Sequence, residues 1–81
     1  MMKKTEVTFD RKVKFDGKDV ETLIMREPTV DDQIVGQEAA STQWGQEVAT
    51  IANLCEVSPD DVRKLPLKEY RKLQEAYAAF M

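Results

Sequence analysis

The spacing of apolar residues changes once in this chain, over the segment Leu23–Asp32, and this change limits the possible folds most strongly. Before the segment, apolar and polar residues alternate, which is the period of a strand, whereas after it they recur every three to four positions, which is the period of a helix. Pro28 lacks a backbone N–H and biases Glu27 toward an extended conformation. Thr29 and Asp32 have a spacing that approximates a capping box, so we expect a strand to end and a helix to begin here.

The first part of the chain predicts a β-hairpin over residues 5–27. Alternation runs from Glu6 to Phe15, and the dipeptide Asp16-Gly17 then supplies the positive φ angles that a two-residue type I′ turn requires. A second strand is expected from Lys18 to about Arg26. One face of the first strand, which we call the main face, is expected to carry apolar residues with one arginine, and it is formed by Val7, Phe9, Arg11, Val13 and Phe15.

The two-residue turn fixes a register that can be checked against side-chain chemistry. It places apolar residues opposite one another and acids opposite bases. The expected pairs are Phe15 with Lys18, Lys14 with Asp19, Val13 with Val20, Lys12 with Glu21 and Phe9 with Ile24. This register directs Ile24 to the main face and leaves Leu23 and Met25 on the opposite face, where either a helix or another molecule must cover them.

The second part, residues 29–81, predicts three to four short helices. The first runs from about Val30 to Ala40 with a narrow apolar stripe, formed by Val30, Ile34, Val35 and Ala39. The second carries a stripe typical of a core-facing helix, formed by Trp44, Val48, Ile51, Leu54 and Cys55. Ser58 and Pro59 then have the residue types of an N-cap and a first helical position, and this helix should end near Leu65. The last begins at Leu67 and repeats apolar residues at Tyr70, Leu73, Ala76, Tyr77 and Phe80. The expected fold class is therefore α+β, as a single domain over residues 1–81.

The composition gives little support to catalysis or metal binding. Histidine is missing and Cys55 is the single cysteine, which excludes a Ser-His or Cys-His pair and makes a zinc site improbable. The acid pairs Asp31-Asp32 and Asp60-Asp61 fall in the first turns of predicted helices, where capping explains them. The aromatic residues recur at helical spacing, which favours packing over base stacking. We therefore expect no enzyme activity and no cofactor.

Charge and hydropathy also bear on partners. The net charge is −3 and no basic face is apparent, which argues against nucleic acid binding. No apolar run approaches the ~20 residues of a membrane span, and the start at Met1–Lys4 lacks the apolar region of a signal peptide. From the residues alone, the expectation is a non-catalytic domain that binds other proteins.

Nearly the whole sequence resembles a family of small tail assembly chaperones from contractile-tailed phages and prophages, which includes tail protein E and its Mu-like relatives. In that family a short hairpin leads into a Leu-Arg-Glu-Pro-Thr signature, and here residues 25–29 read Met-Arg-Glu-Pro-Thr. The family's later Ser-Pro-acid-acid helix start is similar to residues 58–61. Its final aromatic-x-x-Leu helix is similar to residues 70–80.

The resemblance implies a chaperone that binds the tape-measure protein, keeps it soluble in the bacterial cytoplasm and is not retained in the mature virion. It also implies a longer, frameshifted form as a possible partner, and homo-oligomers are a further expectation for so small a domain. We expect partner contacts at residues without an obvious partner within the chain, which are Leu23, Met25, Phe80 and Met81. The competing interpretation is a small regulatory or antitoxin-like domain that binds a protein or operator DNA.

Overall fold

The computed structural model describes residues 3–81, so the first two residues of the range 1–81 expected for the domain lie outside the description. The hairpin consists of β1 (Lys4–Phe15) and β2 (Lys18–Arg26). Four helices follow, which are α1 (Val30–Ala39), α2 (Gln43–Cys55), α3 (Pro59–Arg63) and α4 (Leu67–Ala78). The expected α+β architecture, a hairpin followed by short helices, is confirmed. No helix in residues 3–81 has the length and apolar character needed to cross a membrane.

The hairpin turn has the geometry that the sequence predicts. Asp16 and Gly17 have φ angles of 55° and 75°, as a type I′ turn requires. The pairs nearest the turn are also as expected, since Phe15 faces Lys18 and Val13 faces Val20. The third expected pair, Lys14 with Asp19, forms an ion pair of 3.2 Å.

Beyond these pairs the expected register is wrong, because β1 bulges. Between the pairs Val13–Val20 and Thr8–Thr22, β1 contributes four residues (9–12) and β2 contributes one, Glu21. The difference is three residues, an odd number, and therefore the faces of β2 exchange beyond the bulge.

The exchange overturns the expected faces at the far end of β2. Leu23 pairs with Val7 and Met25 pairs with Thr5, so both point to the main face, and Met25 is 0% exposed. Ile24 instead pairs with Glu6 and is 49% exposed. The expected pairs Phe9–Ile24 and Lys12–Glu21 do not form, since Phe9 and Lys12 lie within the bulge.

One cluster of buried side chains joins the hairpin to the helices. Strand residues Val7, Phe9 and Met25 belong to the same cluster as Ile51 of α2 and Leu73 of α4. The helices α3 and α4 pack on β1, and α2 packs on β2. Arg11, which alternation places on the main face, is exposed because it lies in the bulge.

The helix starts agree with the sequence chemistry. Thr29 and Asp32 form the complete capping box, in which each side chain accepts from the other residue's backbone N–H. Ser58 caps α3 by accepting from the Asp60 N–H, with Pro59 at the first helical position. These contacts fix where each helix begins.

Candidate functional site

Helix α1 carries its apolar residues on the side that faces solvent. Val30 is 78% exposed, Ile34 49% and Val35 44%, and together they form what we call the α1 apolar face. The buried side of the same helix consists of Asp32 and Gly36. A surface helix normally buries its apolar residues against the core, whereas in α1, which is only weakly amphipathic, the large apolar residues are exposed.

Asp32 anchors the polar side of α1. Its carboxylate accepts two hydrogen bonds from the Arg26 guanidinium, both of 2.7 Å, in a bidentate arrangement. The amide of Asn53 in α2 donates a further bond of 2.7 Å, and the backbone N–H of Thr29 donates one of 2.8 Å. Asp32 therefore links the end of β2, the start of α1 and the body of α2.

These contacts also determine the charge state of Asp32. The hydrogen-bonded Arg26 guanidinium, with smaller help from Thr29, holds the pKa of the Asp32 carboxyl well below its usual range, although burial acts in the opposite direction. The side chain is consequently a carboxylate at neutral pH. A buried charge with this many donors is satisfied, so Asp32 is explained as an anchor and need not be a reactive group.

Gly36 allows α1 to approach α2 closely. A Cβ built on Gly36 would lie 1.9 Å from Oγ1 of Thr50 and 3.2 Å from the backbone oxygen of Gln46. The hydroxyl of Thr50 is itself occupied, since it donates to that same oxygen at 2.9 Å. Gln33 adds a polar contact by donating from its amide to the hydroxyl of Tyr77. The inward side of α1 is thus matched to polar and small groups, and the apolar stripe is left outside.

The α1 apolar face is suited to binding another protein. Several exposed apolar residues grouped on one helix are a feature of protein interaction sites, whereas apolar residues scattered singly over a surface are ordinary. Asp31 and Glu38 lie on the same exposed helix and supply negative charge beside the apolar residues. A helix with an apolar stripe could pack here in the manner of other helix-mediated contacts.

A second exposed apolar area lies between the start of α2 and the helices α3 and α4. It is a groove of about 300 Å³, and its lining includes Trp44, Val48, Leu65 and Leu67. The expectation that Trp44 faces the core is wrong, because the residue lies in the first turn of α2 at the edge of the groove and is 60% exposed. Its ring contacts that of Tyr70, with centroids 6.0 Å apart.

The residues expected to contact a partner occupy different environments. Met25 is part of the core and Leu23 and Phe80 are half-buried against it, while Met81 is exposed. The surface position expected for Met25 is therefore wrong, because the bulge in β1 turns the residue inward. Partner contact at Leu23, Phe80 and Met81 stays a prediction.

The sequence pattern does not predict that the α1 apolar face is exposed. Two features are consistent with that exposure, the glycine in the middle of α1 and the acid three residues after Thr29. In the sequence, capping alone explains Asp32, and no local pattern indicates Asn53 or Arg26 as its partners. Within residues 3–81, no cluster of three or more histidine, cysteine, aspartate or glutamate side chains is arranged to hold a metal ion.

Comparison with known families gives a match over most of the chain. The family described as "Phage tail assembly chaperone proteins, E, or 41 or 14" matches residues 6–81, which is most of the chain. Searches of curated proteins and of solved structures gave no significant match. The matched range includes the bulged hairpin, α1 and the remaining helices. The chain therefore belongs to the family of phage tail assembly chaperones.

Proposed function

We propose that this chain is a non-enzymatic chaperone that binds the tape-measure protein during tail morphogenesis and keeps it soluble in the bacterial cytoplasm. The observation that carries this proposal is the α1 apolar face, formed by Val30, Ile34 and Val35. Family membership supports a role in tail assembly, and a chaperone needs an accessible surface for an apolar client. The protein acts before the tail is complete and is absent from the finished particle.

The α1 apolar face would contribute a substantial part of the binding energy. Full burial of an aliphatic side chain stabilises a complex by ~1.5–3 kcal/mol, and these three side chains are already partly covered, so each contributes less than that. Association also costs translational and rotational freedom, and hence a stable complex needs further contact area. We propose that Leu23, Phe80 and Met81 supply part of that further area. A longer, frameshifted form and further copies of the chain would present the same face and are included as proposed partners.

Co-expression with the tape-measure protein tests this proposal. Ile34→Asp places a charge in the α1 apolar face, where an apolar client would have to desolvate it. The side chain is half exposed, so the variant should remain folded. Gln37→Asp is the matched control, because it introduces the same charge into the same helix at an exposed polar position. The measurement is the fraction of tape-measure protein in the soluble lysate, together with its co-purification on the tagged chaperone.

The expected result is that the natural chain and Gln37→Asp keep the tape-measure protein soluble, while Ile34→Asp does not. Circular dichroism of each purified chain verifies the fold. If Ile34→Asp is folded and still solubilises the client, the α1 apolar face is not the binding surface. If the natural chain itself has no effect on the solubility of the client and does not co-purify with it, the proposed function is wrong.

A further inference from the structure

The bulge in β1 forms one side of a cleft that the proposed function does not use. The cleft has a volume of about 510 Å³, which is within the ~300–1,000 Å³ typical of ligand sites. The hairpin contributes one wall, and the segment from α3 to the start of α4 contributes the other. Its lining consists of Arg11, Lys12, Val13, Lys14, Gly17, Asp61, Lys64, Leu65 and Pro66.

The lining is strongly cationic although the chain as a whole carries a net charge of −3. Four of the side chains are Lys or Arg, and the single carboxylate, Asp61, already accepts a hydrogen bond of 2.9 Å from the backbone N–H of Asp16. Lys14 is paired with Asp19 at an exposed position. Among the salt bridges within residues 3–81, none involves Lys12 or Lys64. These two ammonium groups are available to an incoming anion.

The wall of the cleft that the hairpin contributes is held in place by a buried glutamate. Glu69 of α4 is 2% exposed, and its carboxylate accepts from the backbone N–H of Asp10 at 3.1 Å. Lys72 lies 3.3 Å from the same carboxylate and 2.5 Å from that of Asp10. Arg11 approaches Glu69 to 4.0 Å. A buried carboxylate is unfavourable unless it is fully hydrogen-bonded or paired with cations. The partners of the Glu69 carboxylate are Asp10 and Arg11, which lie in the bulge, and Lys72, which also contacts Asp10.

Part of the lining of the cleft is apolar. Val13 is buried, and Leu65 and Pro66 are half-buried, beside the cationic side chains that we call the rim. A ligand that satisfies both parts must carry negative charge together with at least one apolar group. An acidic peptide segment that contains an aliphatic side chain has this composition, whereas a phosphate ion would contact the rim alone.

We propose that this cleft binds an acidic peptide segment of a partner protein, at a site separate from the α1 apolar face. A peptide with a few carboxylates interacts with the local cations at short range, where the distant acids of the chain are screened by salt. Nucleic acid is disfavoured, because it requires an extended basic face along its backbone and would be repelled by the remaining negative surface. The site allows the chaperone to hold a second protein without displacing an apolar client.

Fluorescence anisotropy with a labelled peptide of glutamates and one central leucine tests this inference on the full chain. The double variant Lys12→Glu/Lys64→Glu should bind the peptide more weakly by about tenfold or more, since attraction becomes repulsion at contact distance. The matched control is Lys4→Glu/Arg71→Glu, which makes the same change in net charge at exposed positions outside the cleft. It should retain affinity within about twofold, because its charges are screened from the cleft.

Three results would overturn the inference. The first is that the natural chain does not bind the peptide at low salt, and the second is that both double variants weaken binding equally, which would mean that net charge alone is sensed. The third is tighter binding of a single-stranded DNA oligonucleotide of equal charge, which would assign the cleft to nucleic acid. Circular dichroism verifies folding, and Lys12→Gln/Lys64→Gln replaces the charge reversal if that variant unfolds. The α1 variant Ile34→Asp should bind the peptide normally, so this test is independent of client binding.

Discussion

Gly36→Ala tests whether α1 is held in its observed orientation by close contact with α2. At an ordinary helix interior position this change stabilises a protein by ~1 kcal/mol, because alanine favours the helix. Here the added methyl group would lie 1.9 Å from Oγ1 of Thr50 and 3.2 Å from its Cβ. The opposite sign is therefore expected.

The magnitude follows from the contacts that must change. Rotation of the Thr50 side chain would relieve the shortest contact, but it would break the 2.9 Å bond to the Gln46 oxygen and leave a buried hydroxyl unsatisfied, at a cost of ~1–3 kcal/mol. The contact of 3.2 Å with the Gln46 oxygen would remain and would separate the helices slightly, and such overpacking costs ~1–3 kcal/mol. Together the two costs are ~2–6 kcal/mol, and subtraction of the helix propensity gain of ~1 kcal/mol leaves an expected net loss of about 3 kcal/mol. For a domain of this size the melting temperature would fall by about 12–24 °C.

Urea denaturation monitored by circular dichroism measures this effect, with Gln37→Ala as an exposed control on the same helix. Thr50→Ala removes the hydroxyl that the new methyl group would meet, so the double variant with Gly36→Ala should recover about 1–2 kcal/mol relative to the sum of the single changes. If Gly36→Ala stabilises the protein, or if the two changes are additive, the close approach of α1 and α2 is refuted.

Three further predictions concern the anchor, the thiol and the core. Arg26 and Thr29 lower the pKa of Asp32, so its contribution to stability is present above the unfolded pKa of about 4 and is lost as the pH falls through the lower folded pKa. Asp32→Asn should cost about 2–3 kcal/mol at neutral pH and reduce the acid sensitivity of the urea midpoint; an unchanged acid sensitivity would contradict this. Burial raises the pKa of the Cys55 thiol to about 12, so a thiol reagent near neutral pH should react only as the protein unfolds, and rapid labelling of the native chain would count against burial. Met25→Ala should lower the free energy of unfolding by about 3 kcal/mol, and a loss below ~1 kcal/mol in the same assay would show that Met25 is not core.

Local chemistry accounts for the parts of the fold that the sequence predicts well. The turn at Asp16-Gly17 and the caps at Thr29 and Ser58 depend on contacts within a few residues. The strand ends and helix starts follow from these contacts, and so does the α+β architecture. The sequence also predicts the buried side of α4, since Tyr70 and Leu73 are buried at the expected helical spacing.

The bulge and the orientation of α1 depend on contacts between distant residues, which no local pattern encodes. Glu69 bonds to the backbone of Asp10 across 59 positions, and Asn53 bonds to Asp32 across 21. A hint of the bulge was present, because Leu23 and Met25 had no place on the main face of a regular hairpin. A register in which β2 changes face places both residues in the core. That register needs four residues of β1 opposite a single residue of β2, an irregularity that the rules of strand pairing do not predict.

The attachment of α1 has a consequence for hydrogen exchange. Since its inward side offers Asp32 and Gly36 in place of large apolar side chains, α1 adds little hydrophobic burial to the structure. Segments with few buried apolar contacts open locally at a lower free energy than the core, so the amides of α1 should exchange before those of α2 and α4. A client bound to the outer side of α1 would suppress that opening by mass action. At a client concentration one hundred times the dissociation constant, the free energy of local opening would rise by ~2.7 kcal/mol. Protection confined to residues 30–39 would thus report client binding without any label on the client.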